Sequence, residues 1–252
     1  MENPARTEYS RVAEFYDTWH DRWPDSSKAN CVEMLAEIAD GKTVLELAVG
    51  TGRIALPLAM KGLRVFGIDN SAPMLEKLRT KPGADRLSVV LGDLAEVPLD
   101  GPFGLIYVVF SFGYLLTQEE QLRCIVNVGK KLTENGAFVI QTMTPGETIF
   151  DGSGGINDML DVPSTDGQEA DSIMLLGAKT DLVRQMIHQR VIVLNEAGSK
   201  IYPHTLRYVW PAELDLMARI AGLKLHARWG SWRRDAFTSK CRTQISVYKL
   251  AI

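Results

Sequence analysis

The sequence has few cysteines, and their arrangement suits neither disulfide bridges nor a metal site. Three occur in 252 residues, at Cys31, Cys124 and Cys241, which is an odd number with wide separations and no metal-ligand spacing. The sequence also has no N-terminal apolar run that would act as a signal peptide, and no run long enough to span a membrane. We therefore expect free thiols, a cytoplasmic location and neither a metal site nor a membrane partner.

An excess of positive charge is missing as well. Lys and Arg total 28 against 31 Asp and Glu, which gives a formal net charge of −3 and a pI near 5.9. Nucleic-acid-binding domains usually carry a basic patch, so this balance argues against a nucleic-acid partner. The hydrophobic content of 46% is sufficient for one globular domain with an elaboration.

The most informative stretch is residues 43–59, which has the pattern of a strand, a glycine turn and a helix. Val44, Leu45 and Leu47 form a short apolar run, Gly50 and Gly52 interrupt it, and a helical apolar pattern follows. Glycines let the backbone approach a ligand closely, and the helix that begins there presents unpaired N–H groups. The turn alone is typical of both dinucleotide sites and other nucleotide sites.

The segments that follow predict a parallel sheet with a binding crevice at one edge. A second strand ends in Asp69, about twenty residues after the turn, where a carboxylate is placed to bind ribose hydroxyls. A third strand ends in Gly92 and Asp93 at the same edge. The predicted strands after the first are residues 63–69, 87–91, 103–110 and 137–143, with a helix over 118–132 and a turn at Asn135-Gly136 before the last of them.

The motif Glu46-Leu-Ala-Val-Gly-Thr-Gly52, followed by Asp69 and Gly92-Asp93, resembles the class I S-adenosylmethionine-dependent methyltransferases. Residues 206–223 are similar to bacterial small-molecule methyltransferases that act on amines, sugars and peptide-derived natural products, so the resemblance implies a small-molecule acceptor. The resemblance implies an α/β, Rossmann-like sheet of seven strands, the last antiparallel, flanked by helices. Ala48 departs from the family, in which many members have glycine, and a methyl group is expected to be tolerated there.

The resemblance also implies the cofactor and its contacts. S-adenosylmethionine would donate the methyl group and leave as S-adenosylhomocysteine. Asp69 would bind the ribose, Asp93 and Leu94 the adenine edge, and Met74 the adenine face. The expected cofactor-binding residues are Tyr9, Glu46, Ala48, Gly50, Gly52, Asp69, Asn70, Met74, Asp93, Leu94 and Phe110.

Four regions are expected along the chain. Residues 1–40 form an N-terminal helical lid, 41–145 the cofactor-binding core, 146–210 a loop and an antiparallel β insert, and 211–252 the final helix and last two strands of the core. The glycine- and acid-rich composition of residues 144 to about 171 predicts a loop. Three strands are expected after it, at residues 172–179, 182–194 and 200–209. The insert would either cover the substrate pocket or form a homodimer surface.

Methyl transfer from a sulfonium depends on positioning, and a base is needed only to remove a proton from the acceptor. The candidate bases are His204, Tyr16 and Asp17, and the last two resemble part of a lid that closes over the cofactor. The expected substrate contacts are Phe112, Tyr114, Arg207, Tyr208 and Trp232.

The aromatic residues among these contacts favour a flat acceptor, such as the indole of a cyclic dipeptide. The lack of metal-ligand spacing in the sequence favours metal-independent N- or C-methylation. An amino-sugar N-methyltransferase is the alternative acceptor class. A catalytically silent S-adenosylmethionine-binding protein and a nicotinamide-dependent oxidoreductase are the alternatives from other functional classes.

Overall fold

The computed structural model describes residues 13, 16–17, 25–144, 155–162, 172–195 and 198–251. Two sheets organise this part of the chain. The strands are β1 Val44–Leu47, β2 Val65–Asp69, β3 Leu87–Leu91, β4 Phe103–Val109, β5 Leu132–Met143, β6 Gly155–Val162, β7 Ser172–Asp181, β8 Met186–Asn195, β9 Gly198–Arg207, β10 Leu223–Trp229 and β11 Thr243–Leu250.

The larger sheet has seven strands in the order β10-β11-β5-β4-β1-β2-β3. Strands β1 to β5 pair in parallel, and β11 lies antiparallel to both β5 and β10. The carboxyl ends of β1 to β5 therefore meet at one edge, where open parallel sheets bind ligands. The predicted Rossmann-like fold with an antiparallel last strand is confirmed.

Five helices lie in the described part of the chain: α1 Asp25–Ala39, α2 Ala55–Met60, α3 Ala72–Arg79, α4 Gln118–Lys131 and α5 Pro211–Ile220. Their ends follow from local sequence. Ser71 caps α3 by accepting from the N–H of Met74, Thr117 and Glu120 form a capping box on α4, and Pro211 begins α5.

The sheet separates two apolar cores. Phe138 and Ile140 of β5 pack with residues of α4 and α5, whereas Val139 packs on the other face with residues of α1, α2 and α3. This alternation follows from the period of two along a strand, and both faces of the central strands are covered. The result is a three-layer arrangement whose open carboxyl edge carries the site.

The insert differs from the prediction in its first part. It is a four-stranded antiparallel sheet in the order β6-β7-β8-β9, and β6 lies within the stretch that the sequence indicated as a loop. A strand in such a glycine- and acid-rich segment has weak intrinsic preference and depends on its ladder with β7. The predicted hairpin between the last two insert strands is present, with Asn195 opposite Gly198.

Strand β5 also begins earlier than expected, at Leu132, directly after α4. Its register against β4 shifts between Phe103 and Leu105, where Leu132 and then Ala137 are the successive partners. Asn135 and Gly136 fall within this irregular part of the strand. The turn residues therefore mark a break in the ladder, not the start of the strand.

Candidate active site

The glycine turn after β1 has the geometry of a ligand cradle. Gly50 and Gly52 have φ angles of 54° and 79°, in the left-handed region that favours glycine. A Cβ atom at Gly52 would lie 3.0 Å from Leu56 and 3.1 Å from Leu78, so a side chain there would crowd the following helices. The tight turn expected at these glycines is present.

Asp69 lies at the end of β2 and closes this turn. Its Oδ2 accepts a hydrogen bond from the N–H of Gly50 at 2.7 Å, and its Oδ1 accepts one from Ser71 at 2.8 Å. Burial raises the pKa of Asp69, and the backbone donors oppose that shift. Because each carboxylate oxygen has a second lone pair, Asp69 is able to accept ribose hydroxyls while keeping both backbone bonds.

Glu46 is the buried carboxyl of β1. Its Oε2 accepts a hydrogen bond from the hydroxyl of Tyr107 at 2.8 Å. Burial raises the pKa of Glu46 to about 8, against the opposing effect of the Tyr107 bond, so the carboxyl is mostly protonated at pH 7. An ammonium group brought near it would favour the charged form, which suits the expected contact with the amino-acid end of the cofactor.

Two residues of the edge hold positive φ angles without being glycine. Ala48, beside the glycine turn, has φ 59°, and Phe110, at the end of β4, has φ 60°. The left-handed region is costly for residues with a Cβ atom, and such strain is concentrated at functional sites. The positive φ angle explains why glycine suits the position of Ala48. No local sequence signal indicated the conformation of Phe110.

The other expected cofactor residues line the same edge. Asp93 accepts a hydrogen bond from the N–H of Ala95 at 2.9 Å, Leu94 is buried, and Asn70 is exposed. Met74 is buried against Ala13, and Tyr16 and Tyr202 pack against that pair. The edge thus offers acceptors and an apolar surface close together. Tyr9 lies outside the described residues.

Asp17 joins the N-terminal segment to the glycine turn. Its Oδ1 accepts a hydrogen bond from Thr51 Oγ1 at 2.6 Å, and its Oδ2 lies 2.8 Å from Lys81 Nζ and 3.5 Å from Lys77 Nζ. Burial raises the pKa of Asp17, but the lysines and Thr51 outweigh it and lower the pKa. This makes the carboxylate a weak base, so its contacts favour a tether over the base role considered from the sequence.

A cavity lies at the carboxyl ends of β4 and β5, under the insert. It brings together three of the five expected substrate contacts, namely Phe112, Arg207 and Tyr208. The full lining is Phe110, Phe112, Gly113, Thr142, Met143, Ile187, Leu206, Arg207, Tyr208 and Val209. Apolar and aromatic side chains therefore form most of its wall, as in small-molecule sites.

His204 lies on β9, two residues before Leu206 and so on the same face of the strand. Its Nε2 lies 2.7 Å from Oε1 of Gln189, and its ring centroid is 6.4 Å from that of Tyr114. Burial lowers the pKa of His204 below its ordinary value, against the opposing effect of a backbone hydrogen bond with Tyr202, so the neutral imidazole is favoured at pH 7. Because Gln189 Oε1 only accepts, Nε2 donates to it in the neutral imidazole, and Nδ1 is the nitrogen that would take up a proton.

Arg207 takes part in a buried network that holds the insert to the core. Its guanidinium donates to Gln121 Oε1 on α4, to Gln185 Oε1 at 3.2 Å and to Glu213 on α5 at 2.7 Å. Gln185 lies between β7 and β8 and also donates to Glu213 at 2.7 Å. Arg207 thus lines the cavity, but its charge is already paired.

Trp232 does not join the other expected substrate contacts. Its Nε1 donates to Gln141 Oε1 at 3.0 Å, and the ring packs in the core that contains Val139 and Ile245. This core is on the opposite face of the sheet from Phe112.

Tyr208, which lines the cavity, packs against an aromatic neighbour, and its ring centroid is 5.9 Å from that of Trp210.

Sequence reasoning missed two residues of the tether, Thr51 and Lys81. Thr51 lies inside the glycine motif, and Lys81 Nζ donates to its carbonyl at 2.8 Å in addition to pairing with Asp17. The position of Thr51 inside the glycine motif could have indicated its role, whereas nothing in the sequence around Lys81 indicated a contact with the turn.

Within the described ranges, no cluster of His, Cys, Asp or Glu could hold a metal ion, and no helix has the length and hydropathy to cross a membrane.

Residues 44–136 match the family model described as a methyltransferase domain. The CcbJ methyltransferase of Streptomyces caelestis has 34% sequence identity and a TM-score of 0.84, with 98% of this chain and 99% of that chain covered. The cypemycin N-terminal methyltransferase of Streptomyces sp is 29% identical over 82% of this chain and 83% of that protein. SAM-bound CalS10 of Micromonospora echinaspora, an amino pentose methyltransferase, shares the fold with a TM-score of 0.68 at 19% identity, over 99% of both chains.

Proposed function

Because the chain belongs to the S-adenosylmethionine-dependent methyltransferases of natural-product type, we propose that it methylates an amine nitrogen of a small or peptide-derived natural product. Family membership sets aside the oxidoreductase considered from the sequence. The observation that favours an amine is His204, whose pKa is lowered by burial and which lies on the same face of β9 as the cavity-lining Leu206. An amine attacks as its free base and must lose a proton after transfer.

The cofactor fits the residues at the edge. Bound S-adenosylmethionine supplies an electrophilic methyl group on a sulfonium, which departs as a neutral thioether. Asp69 and the glycine turn would hold the ribose and the amino-acid end, with Glu46 near the ammonium group. Since the leaving group is good, the chain contributes mainly orientation and the exclusion of water.

The insert would complete the pocket. One face of β9 carries Tyr202, His204 and Leu206. Tyr202 packs against Met74, the ring of His204 lies beside that of Tyr114, and Leu206 lines the cavity. We assign His204 the removal of the ammonium proton that forms when the amine gains the methyl group. The relative named as an N-terminal methyltransferase supports nitrogen as the accepting atom.

C-methylation of an indole is the second candidate. Phe110 lines the cavity and is 43% exposed, so its ring is available to stack on a flat acceptor. Incubation with S-adenosylmethionine and a cyclic dipeptide containing tryptophan, followed by mass spectrometry, distinguishes the two. A methylated indole carbon would favour this candidate over the amine.

The test of the amine proposal is turnover by His204→Ala. Removal of a general base typically lowers turnover by about 10²–10⁴-fold, and S-adenosylhomocysteine affinity should stay at the wild-type value. His226→Ala on exposed β10 is the matched control and should turn over normally. Wild-type turnover by His204→Ala would remove His204 as the base.

A further inference from the structure

Three buried polar atoms have no hydrogen-bond partner in the described part of the chain, and all three belong to one corner of the sheet. They are Oγ1 of Thr142, Oγ1 of Thr144 and Nε2 of Gln244. Thr142 is 7% exposed and Gln244 is fully buried. Buried polar groups are normally satisfied, so such a concentration requires a reason. We call these three residues the polar strip.

The ladder places the polar strip on one face. Thr142 of β5 is directly opposite Gln244 of β11, so their Cβ atoms lie on the same side of the sheet, about 5 Å apart. Thr144 is two residues further along, and its N–H bonds to the carbonyl of Arg242, which continues the ladder. The three side chains therefore form a contiguous row.

This row borders the cavity. Thr142 is one of the cavity-lining residues, as is Phe112. Ile140, which precedes Thr142 on the same face of β5, packs in the same core as Phe112. The polar strip is therefore on the cavity side of the sheet, and it interrupts a wall that is otherwise largely apolar.

The strip is suited to a neutral oxygen atom. Nε2 of Gln244 is a donor only, while its Oε1 already accepts from Ser246 Oγ at 3.4 Å. The charge of Arg207, which also lines the cavity, is paired with Glu213. A carboxylate would therefore lack a free cation among the described lining residues, whereas a carbonyl or a hydroxyl would pair with the hydroxyl of Thr142.

We propose that the polar strip binds a neutral carbonyl or hydroxyl oxygen of the acceptor and so selects which molecule presents its amine to the cofactor. Thr142 would make the contact by turning its hydroxyl into the cavity about χ1, because Oγ1 is buried in the free protein, and Gln244 lies directly opposite it on β11. The inference rests on the proposed function and adds the acceptor class, which is an amine that carries a neutral oxygen close by.

The test uses Thr142→Val, which removes the hydroxyl and keeps the shape. A hydroxyl reserved for substrate contributes no bond to the free protein, so Tm should rise by about 2–4 °C on losing a buried unpaired polar group. Thr205→Val is the matched control on β9, because the hydroxyl of Thr205 is paired with His188 Nδ1 at 3.1 Å. That control should show no rise in Tm and unchanged acceptor kinetics.

Kinetics are measured with three amine probes: Ala-Ala amide, glucosamine and cyclohexylamine. The first carries carbonyl oxygens, the second hydroxyl oxygens, and the third no oxygen. With Thr142→Val, kcat/KM for the oxygen-bearing probe that the wild type prefers should fall about five- to twentyfold, the scale of one lost hydrogen bond. The kcat/KM for cyclohexylamine, which has no oxygen to lose a hydrogen bond, should change by less than about twofold. Thr142→Ser, which keeps a hydroxyl, should restore the preference for the oxygen-bearing probe.

The outcomes separate this inference from the proposed function. Unchanged discrimination by Thr142→Val, or a lower Tm, would overturn the role of the polar strip. Wild-type protein that binds S-adenosylhomocysteine but methylates no amine would contradict the proposed function instead. In that case the Tm of Thr142→Val still decides whether the hydroxyl is reserved for a ligand or structural.

Discussion

Ala48 combines a side chain with a backbone conformation that favours glycine. Its φ of 59° lies in the left-handed region, which costs a residue with a Cβ atom roughly 1–2 kcal/mol. Ala48→Gly should relieve this strain, but glycine makes the unfolded chain more flexible, which opposes the gain. The net free energy of unfolding should therefore rise by about 0.5–1 kcal/mol.

Urea denaturation of wild type and Ala48→Gly measures this difference. Ala221→Gly, at the end of α5 where φ is −80°, is the control and should destabilise. A destabilised Ala48→Gly would show that the turn tolerates alanine without strain.

Glu46 couples stability to pH at the same edge. Its pKa is raised from 4.5 to about 8, so between these values the folded state holds a proton that the unfolded state releases. The contribution of Glu46 to stability is therefore largest at low pH and falls as pH rises towards 8, by up to about 1.4 kcal/mol per unit.

Glu46→Gln keeps an acceptor for Tyr107 and removes the titration. The stability of wild type relative to Glu46→Gln should decline from pH 5 to pH 8, as measured by urea denaturation at each pH. Exposed Glu76→Gln serves as the control. A difference that is constant with pH would contradict the raised pKa of Glu46.

At the scale of elements, Arg207 is the point at which the insert is fixed to α4 and α5. Arg207→Met fills similar space but leaves the partly buried Glu213 without its cation, while Gln121 and Gln185 lose a donor. Breaking a buried pair by removing one partner typically destabilises by about 3–5 kcal/mol. We expect a loss of that size in thermal or urea unfolding.

Arg184→Met is the matched control, because Arg184 pairs with Asp181 in an ion pair whose arginine side chain is 81% exposed. Surface pairs contribute about 0–1 kcal/mol. Equal effects of the two substitutions would indicate that the network at Arg207 does not hold the insert.

The elements that sequence predicts well are those specified by local pattern. The glycine turn, Asp69 at the end of β2 and the helix ends at Ser71 and Pro211 each carry a short-range signal, and each is present. Strand β6 was missed because its residues have little strand preference, and its pairing with β7 is a tertiary effect.

At the scale of the whole molecule, the missed features are long-range contacts. The tether of Asp17 to Lys81 and Thr51 joins segments far apart in the sequence, and the network of Arg207 joins the insert to two helices. No periodicity indicates which polar side chains meet. Trp232 was expected at the site because it is aromatic, but its ring lies in the core on the other face of the sheet.

The cofactor site is tested by calorimetric titration of the wild-type protein and Asp69→Ala with S-adenosylhomocysteine, with NADH as the control ligand. The wild type should bind S-adenosylhomocysteine with micromolar affinity, about −8 kcal/mol, and should not bind NADH. Asp69→Ala should bind more weakly by about 1–3 kcal/mol, because a buried polar partner of the ribose is lost. Absent binding by the wild type, or unchanged affinity of a folded Asp69→Ala, would contradict the assignment of the glycine edge as the cofactor site.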